Sequence, residues 1–178
     1  MNQQTIPDTL TVIRNRRSVR NYTGESVTQG QLEILLDAGM AAPSAVNCQP
    51  WEFVVVTDRK TLDKLGDVLP YAKMIYTAGA AIIVCGIPSK AHKQMVEYAV
   101  IDSTLASENI LLAAEALGLG AIWTAAYPYP DRMKSVRSIL NIPSEVIPLN
   151  VIPVGHPTGE DKPKEKFNPN KIHREKWQ

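Results

Sequence analysis

The stretch from about Gln94 to Leu117 holds no glycine or proline, and its apolar and small residues do not keep to one face. Val96, Ala99, Val100, Leu105, Ile110, Leu111, Ala114 and Leu117 run round more than one side of a helix. A helix apolar on several sides has to be covered on several sides. The segment therefore reads as a long central helix, packed by its own chain and partly by a second subunit, with Gly118-Leu119-Gly120 as its C-cap. A second constraint is Ala80 to Ile87, a continuous apolar run of the kind found in a strand covered on both faces.

The remaining elements fit round these two. Ile6 to Asn15 reads as a helix with Pro7 in its first turn, and Arg16 to Thr23 as an extended segment turning at Gly24. Thr28 is a candidate N-cap for a helix through about Met40, with Leu32, Leu35 and Leu36 as its buried stripe, and Pro43 stops it. Phe53 to Thr57 is a strand, Asp58 to Leu69 a helix, Ala121 to Thr124 a short strand, Asp131 to Leu140 a helix and Leu149 to Val154 a last strand. Strands and helices alternate only loosely, and helices come first. That favours an α+β layered sheet over a doubly wound nucleotide-binding fold. After His156 the composition turns to Lys, Glu, Pro and Asn, which marks an arm.

At 178 residues the chain is long enough for one domain with a real core. With 19 basic and 18 acidic residues it carries no general basic field for nucleic acid. Met1-Asn2-Gln3-Gln4 does not open a signal peptide, and no apolar run approaches the roughly 20 residues of a membrane span. Two cysteines, Cys48 and Cys85, do not make a disulfide framework. A soluble cytoplasmic protein is expected.

Two short stretches carry chemistry. Arg16-Arg17-Ser18-Val19-Arg20 packs three guanidinium groups and a hydroxyl into five residues. Arg offers a rigid fork of donors matched to phosphate oxygens; a solvated basic turn is the plainer reading. Lys164 and Lys166 can add charge from the late arm. Pro43-Ser44-Ala45-Val46-Asn47-Cys48-Gln49-Pro50-Trp51 sets Ser, Asn and Gln between prolines, just before a strand. Asn47 and Gln49 can simply cap turns and Trp51 can be core, but a rigid polar loop is also suited to hydrogen-bond a flat heterocycle. Phosphate at one end and a polar ring at the other describe flavin mononucleotide. The three histidines, His92, His156 and His173, lie at no metal-ligand spacing, so no metal site is expected. Gly118-Leu119-Gly120 follows a helix, so it is not a dinucleotide fingerprint. Cys85 reads as inert packing, and nothing beside Cys48 marks a nucleophile.

At these residues the chain resembles the FMN-dependent nitroreductase family, and the match runs in order through nearly its whole length. It is carried by Arg-Arg-Ser-x-Arg, by Pro-Ser-x-x-Asn-x-Gln-Pro-Trp, by the long helix ending Gly-Leu-Gly, by Val-Ile-Pro-Val-Gly-His-Pro and by the Lys-rich arm. The resemblance implies a layered α+β fold, with a mostly antiparallel central sheet flanked by helices and the long helix at a dimer interface. It implies one FMN-binding domain over 1–178, with 156–178 as a C-terminal arm. It also implies a homodimer with FMN at each end of the interface, touched by both chains. By this resemblance Arg16, Arg17, Ser18, Lys164 and Lys166 would hold the phosphate region, and Arg20 the pyrimidine edge. Pro43, Ser44 and Asn47 would reach over from the partner chain, and backbone N–H groups within Thr124, Ala125 and Ala126 would face the flavin N5 edge. Some members have Glu-Gly in that last position; the alanines here transfer no carboxylate role.

The implied activity is an NAD(P)H-dependent, ping-pong hydride transfer to nitroaromatic, quinone or similar acceptors. No side chain serves as the catalytic group, since the flavin performs the chemistry. Tyr127 and Tyr129 are candidates to line the acceptor site. A dehalogenase-like or flavin-cleaving enzyme of the same fold remains an alternative, as does a flavin-binding protein without NAD(P)H turnover.

Overall fold

A computed structural model describes residues 8–177. Its first three helices begin where short polar side chains satisfy free N–H groups. Asp8 accepts from the N–H groups of Leu10 and Thr11 at the start of α1 (Thr9–Asn15). The helix expected from Ile6 thus has its cap two residues later, and Pro7 lies outside the described residues. Thr28 and Gln31 form a reciprocal capping box for α2 (Gln29–Met40), and Asp58 caps α3 (Arg59–Val68). The long helix is α4 (Val96–Ala116), ended by Gly118 at φ 71°, a left-handed conformation that glycine adopts without steric cost. Pro130 opens α5 (Pro130–Leu140).

Five strands form one antiparallel sheet: β1 (Trp51–Val56), β2 (Ala80–Gly86), β3 (Gly120–Ala121), β4 (Thr124–Ala125) and β5 (Ile147–Gly155). Their order is β1-β2-β5-β3, with β4 also on β5. Every residue of β2 is buried, as its unbroken apolar run requires. Ala80, Ile82 and Val84 pack with Leu32, Leu35 and Ile110 of α2 and α4. The alternate residues Ala81, Ile83 and Cys85 pack with Leu62, Leu65 and Val136 of α3 and α5. Helices therefore cover both faces of an antiparallel sheet.

The sheet corrects the sequence reading at one edge. The short strand expected over Ala121–Thr124 is two pieces in one register against β5, and β5 itself starts at Ile147, with Pro148 inside it. Hydrogen-bonded and non-bonded pairs alternate along an antiparallel ladder. Ala126 donates to the Leu149 carbonyl, so Thr124/Val151 and Ile122/Pro153 are the next positions due to bond. Proline has no N–H to give, and the ladder lapses opposite Pro153. Its carbonyl accepts instead from the Tyr22 hydroxyl at 3.2 Å.

Helix α4 packs one face on the sheet, through Ala99, Ser103, Ala106, Ser107, Ile110 and Ala114 among others. Within this single chain Ile101 and Leu105 are left 54% and 40% exposed. The small residues let the helix approach β5 closely enough for a buried polar bridge. Asn150 Nδ2 donates to Ser107 Oγ (2.8 Å), which donates to the Ser103 carbonyl (2.9 Å). Among the described residues Asn150 Oδ1 has no partner, and the bond to Ser107 is the one its amide makes there. Ser107→Ala is expected to cost about 1–3 kcal/mol by stranding a buried donor. Adding Asn150→Leu should recover most of it, as read from urea midpoints of the single and double variants. Among the described residues no helix is long and apolar enough to cross a membrane.

Candidate functional site

The chain leaves α1 at Asn15 and runs extended along the outer edge of the sheet. Ser18 pairs with Ala121, and Val19 N donates to the Ala121 carbonyl at 3.1 Å. Val19, 1% exposed, turns inward against Tyr22 and Ala78. Ser18 and Arg20 then project to the other side, by the alternation of an extended chain. The C-terminal arm folds back over this segment: Thr158 N donates to the Asn21 carbonyl, and Thr23 N to that of His156. Lys166 Nζ reaches the Arg16 carbonyl at 2.8 Å. Arg16, Arg17, Ser18, Arg20, Lys164 and Lys166 thereby line one cavity of about 470 Å³. The sequence motifs group these same six residues, although 150 positions separate Arg16 from Lys166.

Carboxylates pair with two of these cations. Arg17 Nη1 pairs with Glu115 of α4 at 2.8 Å, both side chains less than a fifth exposed, and its Nε donates to the Asp161 carbonyl. Arg16 Nε lies 3.4 Å from Glu108, a looser and more exposed pair. Asp161 Oδ2 accepts from the N–H groups of Arg20 and Asn21. Burial works against ionisation of Asp161. Those two N–H groups, the Asn21 amide and the Arg20 charge outweigh it and hold the carboxyl below the usual carboxylate range. A carboxyl depressed on folding adds stability that is present above its ordinary pKa and is lost as pH falls through the folded value. The Asp161 contacts are thus in place at neutral pH and are lost only in acid. Sequence reasoning missed Glu108 and Glu115, because an acid that orients an arginine carries no local signature, and Asp161, whose partners lie 140 positions or more away in the chain.

Next to this cavity runs the outer edge of the Gly120–Ala125 line. Ala126 and Tyr127 both spend their N–H groups on the Leu149 carbonyl. The buried Thr124 hydroxyl donates to the Val151 carbonyl. Ala125, opposite Asn150, is a non-bonded position whose N–H and C=O turn away from β5. Its carbonyl is met there by Arg132 Nη1 at 3.2 Å. The Arg132 guanidinium also lies 3.7 Å over the Tyr129 ring. Of the three residues expected to offer backbone donors, Ala125 is the one with an outward N–H.

Pro43, Ser44 and Asn47 do not line the arginine cavity of their own chain. They sit in a loop held against α4, where Ala42, Trp51 and Ala106 cluster at its base. Val46, Asn47 and Gln49 all have positive φ, 45°, 58° and 49°. Such conformations cost on the order of 1–3 kcal/mol for non-glycine residues and persist only where the surroundings impose them. Gln49 N donates to Ser44 Oγ at 2.9 Å, and Ala45 N to the carboxylate of Asp102 on α4 at 3.2 Å. Asp102 is 2% exposed. Its signal in the sequence is an acid flanked by small and apolar residues of the long helix. Cys48 in this loop is half-buried, while burial first, and the Glu52 charge second, push the Cys85 thiol up to about 12. Cys85 is inert packing, as its apolar setting suggested.

These features coincide with those of a known group of proteins. The family model described as the nitroreductase family matches residues 13–70 and 67–156. The chain belongs to the nitroreductase family. As a member it is an enzyme of the oxidoreductase class. A solved structure from Parabacteroides distasonis, provisionally named an NADH dehydrogenase/NAD(P)H nitroreductase, is 48% identical with a TM-score of 0.90, over 95% of this chain and 98% of the other. A relative from Methanothermobacter thermautotrophicus with the same provisional name is 44% identical over 170 residues, 96% of this chain and 88% of the relative. An FMN-dependent nitroreductase from Clostridium difficile is 25% identical with a TM-score of 0.87, over 94% of this chain and 99% of that one. The layered α+β nitroreductase fold read from the motifs is the fold of this family member.

Proposed function

We propose that this nitroreductase-family protein is an FMN-dependent oxidoreductase that passes electrons from NADH or NADPH to nitroaromatic, quinone or similar acceptors. The observation that carries the reading is one cavity where Arg16, Arg17, Ser18, Arg20, Lys164 and Lys166 converge, beside a sheet edge with the outward N–H of Ala125. The cavity's donor set suits a phosphate monoester. The edge supplies a single fixed donor of the kind a flavin ring atom accepts.

In this reading Arg17, fixed by Glu115, anchors the phosphate together with Arg16, Ser18, Lys164 and Lys166. The exposed Arg20 lends positive charge to the pyrimidine edge, where negative charge collects on reduction. Ala125 N–H orients the N5 side, with Thr124 and Ala126 holding that peptide in register. The bound flavin supplies the hydride chemistry, taken from NAD(P)H and given to the acceptor in separate half-reactions. Pro43, Ser44 and Asn47 complete the site from a second copy of the chain. The exposed Ile101 and Leu105 of α4 fit burial in such a homodimer. One domain spans 1–178, with 156–178 as an arm, and the protein acts in the cytoplasm.

An absorbance spectrum of purified protein, followed anaerobically with NADH or NADPH, tests this. Yellow protein that bleaches, then recovers with a quinone or nitroaromatic, is the expected result. Colourless protein that refuses added FMN removes the reading; bound flavin that no nicotinamide reduces removes the proposed turnover.

A further inference from the structure

We infer that Asp102 is a positioning residue for the flavin site: its buried carboxylate holds the 44–49 loop in the strained form that presents Ser44 and Asn47. Asp102 is the charged member of the buried polar groups among the described residues, all others being uncharged. A carboxylate taken out of water needs donors, and both of its oxygens turn to one group, Ala45 N–H, at 3.3 and 3.2 Å. No cation pairs with it among the described residues. For packing alone, a small apolar side chain would suit a position between Ala99 and Ala106 better.

What the carboxylate secures is a loop that would not hold its shape unaided. Three of the four residues from Val46 to Gln49 have positive φ, one of them the β-branched Val46, 75% exposed and held by no packing of its own. Besides the turn's own backbone bonds, Asn47 N to the Ser44 carbonyl and Cys48 N to the Ala45 carbonyl, two side chains restrain it: the Asp102 carboxylate accepts from Ala45 N on the loop's N-terminal side, and Ser44 Oγ accepts from Gln49 N on its far side. The apolar cluster of Ala42, Trp51 and Ala106 fixes the loop's ends, not its apex. Loss of the Asp102 anchor therefore frees the apex while the sheet and α4 remain.

This inference rests on the proposal that the loop contacts FMN, so two readouts keep the two apart. The first is amide hydrogen exchange of the flavin-free protein, wild type against Asp102→Ala, Asp102→Asn and Ala45→Pro. Asn keeps an acceptor oxygen for Ala45. Pro removes the donor from the loop side and leaves α4 untouched, and the extended Ser44 (φ −142°, ψ 158°) accommodates a following proline. Exchange across 44–49 should quicken about tenfold or more in Asp102→Ala and Ala45→Pro, with the interior of α4 unchanged and Asp102→Asn close to wild type. The second readout is the FMN dissociation constant and the visible circular dichroism of bound flavin. The constant should rise about tenfold with Ala and Pro, and return to near wild type with Asn.

Loop exchange unchanged in both Ala45→Pro and Asp102→Ala overturns the anchor. Faster loop exchange with unaltered FMN affinity and dichroism overturns its role in the site. A wild-type protein that binds no FMN sinks the proposed function, while the exchange result still decides whether Asp102 holds the loop. If Asp102→Ala does not fold, Ala45→Pro and Asp102→Asn decide the matter on the same readouts.

Discussion

Arg17→Ala is expected to raise the FMN dissociation constant about 10- to 100-fold, the loss of one or two charge-assisted hydrogen bonds to phosphate. Arg17 is the best-fixed cation of the cavity. Glu115 pins one end of its fork at 2.8 Å and the Asp161 carbonyl takes its Nε, so little side-chain freedom is left to lose on binding. The exposed Arg20 and Lys164 lack such restraint, and their alanine variants should weaken binding less. The substitution also strands the Glu115 carboxylate, costing about 1–3 kcal/mol of stability. Glu115→Gln in the same background removes the stranded charge. The double variant should regain stability in a urea titration and still bind FMN weakly by fluorescence quenching. If affinity returned together with stability, Arg17 would be a structural residue and the phosphate site would lie elsewhere.

Gly120→Ala should disrupt both the fold edge and the site. A Cβ there would lie 2.5 Å from Val19 Cγ1 and 2.8 Å from Val19 Cβ. Val19 is 1% exposed, wedged against Tyr22 and Ala78, and cannot swing clear. Relief has to come from backbone movement of Ser18 and Val19 away from Ala121, which carries the arginines with it. Overpacking of this kind costs about 1–3 kcal/mol, and FMN affinity should fall with it. Val19→Ala in the Gly120→Ala background removes the Cγ1 and Cγ2 contacts and leaves only the 2.8 Å approach of the two β carbons to be relieved by a small backbone shift. A double-mutant cycle of urea midpoints should show favourable coupling between the two changes; strictly additive costs would mean the contact is not what keeps residue 120 a glycine.

Much of this architecture was legible because its signals are local. Thr28 announces a helix start just ahead of the Leu32, Leu35 and Leu36 stripe. The apolar run of β2 declares two covered faces, and the apolar residues of α4 run round more than one of its sides. The Arg and Pro-Ser-Asn-Gln-Pro-Trp motifs led to the right family for the same reason: each keeps its chemistry within a few residues. The strand edges were harder. Nothing near Ile122 says that its ladder partner is Pro153, and nothing near Ala121 says that Ser18 will pair beside it. Such facts belong to register, which joins segments far apart in the chain.

The amino-acid sequence by itself determined which segments are helix and strand, which faces are apolar and where the phosphate-suited cations lie. Propensity, capping and periodicity act over one or two turns and need no partner. The resemblance had grouped Lys164 and Lys166 with Arg16 and Arg17; only the tertiary structure decided how the arm brings them there, with Lys166 Nζ on the Arg16 carbonyl. It alone decided that Glu115 and Asp161 aim Arg17, that Asp102 grips Ala45, and that Ala125 rather than its neighbours turns its N–H outward. Each of those depends on which distant group a short-range hydrogen bond finds, and a bond that fails beyond about 3.5 Å is set only once the chain has packed.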